Sequence, residues 1–530
     1  MAASELEVTA SAPRESADKL YQSMVAERQP YLDRARDVAK LTIPTLLPPE
    51  GSNGSTKFYT PFQGTGARGV NNIASKLLLA LFPPNRFFAR LTMDEKVLAE
   101  LEKAAGPDQD VRGEVNTALA TLEQRILTDF NESNSRPVLF QALRHLAIGN
   151  VFLREHDDGS YSYLRLDSYV VRRDGTGNVI LAITKECIDK EALPDQARAF
   201  VESLPPGEAE QSGKRDIDLY TVYRRNGKKF DVHQEIKGHE VFGTKGTQPI
   251  DRTSFQALRF NHLSGEHYGR GLAEELIGDL ASLESLMQSL VEGSAAAAKV
   301  IWLLNPGGVT LAEKVAKAVN GEFVEGDVRD IAALKLDKSQ DFSIVLQTIQ
   351  SIEKRLDAAF LNSSAIQRNA ERVTAEEIRF LANELENAYG GLYSILAQEL
   401  QRPLAVRRIF QMKKRGLLPS FNDKLIKPTI VTGIEALGRT DELQRLDAAI
   451  QGTAQDIGPE MVAKYLKPGG LFRRRFASLS VPDIDQLVRT DEEVAQADQQ
   501  AQLRETAMKL GPTALKAGMD AQQQAAQPQQ

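Results

Sequence analysis

Three glycines at the spacing Gly64-x-Gly66-x-x-Gly69, leading into an apolar stretch over residues 70–81, are the feature that most directly suggests chemistry. Such a loop can cradle a pyrophosphate, because glycine lets backbone approach the ligand and a helix N-terminus stabilises its charge. That use also calls for a hydrophobic strand before the loop and an acidic residue ending a second strand about 20 residues later. Here Pro61 stands just upstream, and the loop Pro83-Pro84-Asn85 follows the helix. The glycines therefore read as a tight helix entry, with a nucleotide-dependent enzyme kept as the alternative. His145, His156, His233, His239, His262 and His267 form no H-E-x-x-H pattern and no close pairing with the single cysteine, Cys187. His156-Asp157-Asp158, followed by Gly159, reads as a turn. There is no serine nucleophile elbow and no P-loop lysine. No catalytic residue, metal site or cofactor is assigned, and the chain reads as a non-enzyme.

Charge is distributed more tellingly than any catalytic motif. Between Gly271 and Ala298 the charged residues are Glu274, Glu275, Asp279, Glu284 and Glu292, without one Lys or Arg. Helices standing free in water gain from mixed signs at i,i+4, so a rod of five like charges is unusual. The chain as a whole carries a net charge of −7, which argues against a protein that coats nucleic acid with its entire surface. One cysteine rules out an internal disulfide framework and suits a reducing compartment. The greasiest run, Leu77 to Phe82, falls far short of the roughly 20 residues a membrane-spanning helix needs.

The elements that would position these residues follow from periodicity. At 530 residues, 42% hydrophobic and 26% charged, the chain is globular and too long for one core. Apolar stripes predict helices over residues 17–41 (with Pro30 as a possible bend), 70–81, 95–105, 111–132 and 137–147. From Asn150 to Phe260 the period shifts towards two, predicting strands over 151–153, 161–166, 169–172, 179–185, 218–224 and 229–234. Asp158-Gly159, Gly175 with Gly177, and Asn226-Gly227 supply turns, and residues 190–203 read as helical. A helix over 271–298 has Leu272, Leu276, Leu280, Leu283, Met287 and Leu290 as its seam. Residues 300–340 mix short strands with a small helix at 311–319. Two more rods follow, over 342–361 and 374–414, split by a polar stretch. Thr374 with Glu377 makes a capping box for the second rod, which is roughly 60 Å long at 1.5 Å per residue. Gly390-Gly391 and Pro403 are its expected bends. Beyond an extended segment at 428–433, helices are expected at 440–452, 459–466 and near 481–488. The Ala/Gln-rich end reads as frayed, then disordered.

Five blocks of this sequence, at residues 59–85, 166–179, 264–285, 361–404 and 428–439, resemble the portal, or head-to-tail connector, proteins of short-tailed, podovirus-type bacteriophages. They lie in order and the likeness reaches from about residue 20 to about 495. It implies an α+β, mostly helical portal-type subunit with wing, stem, clip and crown regions, assembling into a ring with a central channel. The regions would be wing 1–270, first stem helix 271–299, clip 300–340, second stem helix 341–361, tunnel loop 362–373, long wing helix 374–419, crown 420–495 and tail 496–530. The likeness further implies a dodecamer at the unique portal vertex of the virion, made in the host cytoplasm, with no membrane role. Double-stranded DNA would pass through it. The large terminase, tail adaptor and nozzle proteins, scaffolding protein, major capsid protein and internal core proteins would be its partners.

Within that frame, Gln367, Arg368, Asn369 and Arg372 of the loop would face DNA, the arginines meeting phosphate. Glu274, Glu275, Asp279, Glu284 and Glu292 would line the channel with like charge that lets DNA slide without sticking. Lys314, Lys317 and Lys335 would belong to the clip's partner surface. Arg473-Arg474-Arg475, flanked by apolar residues, reads as a solvated face. Residues 467–479 match the family less well than the rest. A helical scaffold protein is the remaining alternative, to be recognised by a compact monomer or an open filament.

Overall fold

A computed structural model describes residues 15–84, 87–105, 111–193, 195–203, 216–298, 301–334, 339–362, 384–385, 388–389, 395–419, 426–430 and 448–456, with isolated residues beyond up to 502. In chain order the elements are helices α1 (Ala17–Leu41) and α2 (Thr65–Leu81), strand β1 (Ala89–Met93), and helices α3 (Glu95–Ala105), α4 (Val111–Glu132) and α5 (Ser135–Ala147). Strands β2 (Asn150–Glu155), β3 (Tyr161–Leu164), β4 (Tyr169–Arg173) and β5 (Val179–Asp189) come next, then helix α6 (Asp195–Ser203). Strands β6 (Asp216–Asn226), β7 (Lys229–Ile236), β8 (His239–Glu240), β9 (Gly246–Pro249) and β10 (Phe255–Arg259) complete the β-rich part. After it stand α7 (Leu272–Glu275), α8 (Ile277–Ala297), β11 (Ile301–Leu304), α9 (Ala312–Lys317), β12 (Ile331–Leu334) and α10 (Ser339–Ala359). Last come α11 (Arg402–Lys414) and β13 (Ile426–Ile430).

The chain divides into two compact units, one of residues 1–88 with 129–417 and one of 89–128 with 418–530. Within the smaller unit β1 pairs antiparallel with β13, Ala89 opposite Ile430, across more than 300 residues of chain. Arg112 on α4 joins Glu95 and Glu102 on α3, and Glu123 accepts the Leu91 amide at 2.7 Å.

In the larger unit, β4 to β8 form an antiparallel meander, with β9 added against β7. A separate sheet has the order β10-β2-β3. α1 buries Tyr21, Met24, Leu32, Ala35 and Val38 at helical spacing. Its first turns pack Ala17, Tyr21 and Met24 onto Val170, Leu181, Ile183, Tyr220 and Val222 of the meander. Asp18 in the first turn and Lys40 in the last suit the helix dipole. Phe152, Tyr223 and Phe255 stack across the sheets, with ring centroids 4.4 to 5.9 Å apart. Burying aromatic faces at such offsets adds to their area burial.

The structure adds detail at three points along the helices. Residues 271–298 form two helices, because Leu276 at φ −100°, ψ 6° ends α7 and opens α8. Pro30 lies inside α1, which stays a single helix over Ala17–Leu41. At Pro403, instead, the chain forms a π-helical turn over Ala397–Gln401. Proline cannot donate to the carbonyl four residues back and its ring crowds it, so a wider turn relieves the clash. Gly390 and Gly391, the segments 440–447, 459–466 and 481–488, and the tail beyond 502 lie outside the described residues.

Candidate functional site

α8 and α10 pack side by side, and α2 packs against α10. The seam of α8 buries Leu280 and Leu283, while α10 buries Ile349, Ile352 and Leu356, with Phe360 buried just past its end. Gly293 leaves room for the Phe342 ring, which would stand 2.9 Å from a Cβ at that position.

The five carboxylates expected on one acidic face go to different places. Glu274 meets Arg34 on α1 at 2.9 Å and Arg270 at 3.4 Å. Glu275 accepts from the Asn261 amide at 2.6 Å. Asp279 pairs with Arg355 on α10 at 2.7 Å, which tacks the two rods together. Glu292 is exposed and accepts from Gln288 one turn back, at 2.9 Å. Glu284 corrects the expectation, being only 7% exposed. Its carboxylate accepts the Tyr59 hydroxyl, the Phe62 amide at 2.9 Å and the Gln63 amide at 3.2 Å. A carboxylate collecting several donors is held by charge-assisted bonds, so Glu284 clamps the extended loop ahead of α2 and presents no charge outward.

That loop also explains the glycine motif. Gln63 donates to the Leu41 carbonyl at 2.6 Å and accepts the Gly66 amide at 2.8 Å. One of the free N–H groups that a phosphate would need at the helix start is thus already satisfied internally. A Cβ on Gly66 would lie 2.7 Å from the Leu41 carbonyl oxygen, and one on Gly69 would lie 2.4 Å from the Phe360 ring. Close packing demands these glycines. The signals that sequence reasoning passed over were Gln63 beside the motif and Phe360, some 290 residues away.

The face of α2 that carries Gly69 continues through Asn72 and Lys76 to the end of α10. Asn72 donates to the Phe360 and Leu361 carbonyls, each at 2.9 Å. Lys76 donates to the Leu361 carbonyl at 2.8 Å and pairs with Glu384 at 2.9 Å. Arg68 pairs with Asp357 at 3.2 Å. Gln367, Arg368, Asn369 and Arg372, which follow this junction, lie outside the described residues, as do Arg473, Arg474 and Arg475.

Residues 301–334 make a small module between the rods. β11 pairs antiparallel with β12, Ile301 opposite Leu334. Asp330 organises it, accepting from Thr310 through the amide at 3.1 Å and the hydroxyl at 3.0 Å. Little of its apolar surface is covered: Trp302 is 62% exposed and Phe323 103%, with Val309, Val319 and Val328 also exposed. Lys314 is exposed; Lys317 is paired with Glu313 at 2.6 Å; Lys335 lies outside the described residues.

Among the described residues no group of three or more His, Cys, Asp or Glu could hold a metal ion. None of their helices is long and apolar enough to cross a membrane. His145 is buried, and burial holds its ring down to about 3, so it stays neutral in the core.

A family model described as bacteriophage head to tail connecting protein matches residues 14–484. The chain belongs to that family, whose members are structural connectors, not enzymes. Its named relatives are portal proteins. That of Escherichia phage T7 is 41% identical over 449 residues, covering 83% of this chain and 82% of the relative. That of Enterobacteria phage SP6 is 31% identical over 508 residues, covering 93% and 94%. The neck of an empty GTA particle is similar at a TM-score of 0.36 and 12% identity, covering 73% of this chain and 86% of that one, too distant to carry an argument.

Proposed function

We propose that copies of this chain close into a dodecameric ring at one vertex of a phage capsid. Double-stranded DNA enters and leaves through its centre. Residues 300–340 are the clip, 271–299 with 341–361 the stem, 1–270 with 374–419 the wing, and 420–495 the crown. The observation that carries the ring is the module at 301–334. So small a piece cannot build a sufficient core, and its exposed Trp302, Phe323 and Val328 find burial against neighbouring copies. The clip then docks the large terminase during packaging and the tail adaptor and nozzle proteins afterwards. The scaffolding protein, major capsid protein and internal core proteins meet the ring inside the head.

The stem is held together by Asp279 with Arg355, while Glu275 and Glu292, both exposed and bonded to neutral side-chain amides, keep a charge that repels phosphate. Residues 362–373 face the DNA, with Arg368 and Arg372 against phosphate and Gln367 and Asn369 as hydrogen-bond partners. Arg368→Ala and Arg372→Ala in a packaging assay test this assignment. Rings of normal size that yield fewer filled heads are expected, with a deficit that is largest at low salt and shrinks as salt is raised, because each arginine lost removes a phosphate contact and with it part of the salt dependence. Full packaging at every salt concentration by the double variant would remove the loop from the DNA path.

A further inference from the structure

The last carbonyls of a helix have no partner within it and must find one elsewhere. At the end of α10 they are met by side chains from distant parts of the chain. The Tyr389 hydroxyl donates to the Ala359 carbonyl at 2.7 Å. Asn72 takes those of Phe360 and Leu361, and Lys76 shares that of Leu361. Leu361 stands at φ 53°, the left-handed region that side chains seldom adopt, which turns the backbone out of the helix. Asn362 closes back on Asp357, its amide reaching the carbonyl at 2.7 Å and its side chain the carboxylate at 2.9 Å. An ammonium at a helix C-terminus also opposes the negative end of the helix dipole.

Lys76 does more than cap. Its nitrogen binds Leu361, just before residue 362, and Glu384, just after residue 383. The residue is 6% exposed, with its charge met by Glu384. A long flexible side chain buried this way has spent its conformational freedom on one geometry.

We propose that Lys76 is a positioning residue: its ammonium fixes the distance between the two ends of the segment 362–383, and so where that segment leaves the wall of the ring. The proposal rests on the DNA-facing reading of residues 362–373. Asn72 holds the first end alone; Tyr389, five residues beyond Glu384, bonds it once, at Ala359, and Lys76 joins Leu361 and Glu384 through one ammonium nearest the two ends. Arginine can keep both bonds at some cost in fit, and methionine, of similar length, keeps neither.

The test is hydrogen exchange on the assembled full-length protein carrying Lys76→Met, Lys76→Arg or Glu384→Gln, followed by packaging with the same variants. In Lys76→Met, peptides at 357–362 and 384–389 should both exchange roughly tenfold faster, one charge-assisted hydrogen bond's worth, while those of the β4–β8 meander stay unchanged. Lys76→Arg should restore most of that protection, and Glu384→Gln should loosen the second end while leaving the first. If Lys76→Met rings fail to assemble, Glu384→Gln decides. Unchanged exchange at 384–389 in the variants that assemble overturns the proposal. Loosened ends together with full packaging, and full packaging by Arg368→Ala as well, leave Lys76 in its place and overturn instead the reading of the segment as DNA-facing.

Discussion

Replacing Arg408 with methionine should cost the larger unit about 3–5 kcal/mol of stability, the usual consequence of removing one member of a buried charge cluster. Arg408 is among the largest side chains fully buried in the protein. On α11 it faces the end of α4 and the turn between β2 and β3. It donates to the Gly159 carbonyl at 2.5 Å and the Asp129 carbonyl at 2.7 Å, and its Nε lies 2.8 Å from the Asp129 carboxylate. Glu155 lies 3.7 Å away, itself without exposure. The rings of Phe130 and Tyr161 flank the guanidinium at 5.9 and 5.7 Å. Methionine keeps the packing stem but takes the guanidinium from the Gly159 carbonyl, leaves the Asp129 carbonyl only the Ser133 amide, and leaves Glu155 without its nearest cation. Arg415 still reaches Asp129 at 2.9 Å, which limits the loss at that carboxylate. Urea unfolding checks this; a loss below about 1 kcal/mol would mean the cluster is as weak as an exposed ion pair.

Glu155→Gln should have the opposite effect, and only at high pH. Burial pushes the Glu155 carboxyl up from 4.5 to about 7, against the pull of Arg408 and Arg407. Between those values the folded chain holds a proton that the unfolded chain has already released. Stability from this group is therefore full below about pH 4.5 and lost as pH rises through about 7. At 1.36 kcal/mol per pH unit the loss amounts to roughly 3 kcal/mol. The glutamine variant lacks this slope. It should match the parent near about pH 5 and exceed it by up to roughly 3 kcal/mol near about pH 8 in urea titrations. Equal stability at both pH values would mean that Glu155 stays ionised in the fold. Combined with Arg408→Met, the glutamine should recover part of the first loss above about pH 7, where Glu155 would otherwise ionise with its nearest cation gone.

Much of the fold is legible in the sequence because its helices are amphipathic. The bounds of α1, α3 and α4 are those the apolar stripes predict, and β2 to β7 fall on the expected period-two runs. What stays hidden is long-range. β10 is buried at every position from Phe255 to Arg259, so no alternation marks it. β1 is five residues long and finds its partner in β13, beyond the reach of any local pattern. The acidic rod shows the same limit: sequence gives the sign of Glu274, Asp279 and Glu284, but not Arg34, Arg355 or the Tyr59–Gln63 loop that meets them. Likewise Gly66 and Gly69 read from sequence as a tight helix entry, but the motif does not show that Leu41 and Phe360 are what stand against them. The Arg408 cluster escaped notice for a related reason. Its members, Asp129, Glu155 and Arg408, sit in stretches that otherwise read as ordinary amphipathic elements.

The ring is the central claim, and imaging of the purified protein together with its solution mass tests it most directly. Closed rings with an axial hole, at a mass of about twelve subunits of 58.4 kDa each, are the predicted result. A monomer or an open filament under conditions that permit assembly would contradict it, leaving Trp302, Phe323 and Val328 without the neighbour that covers them.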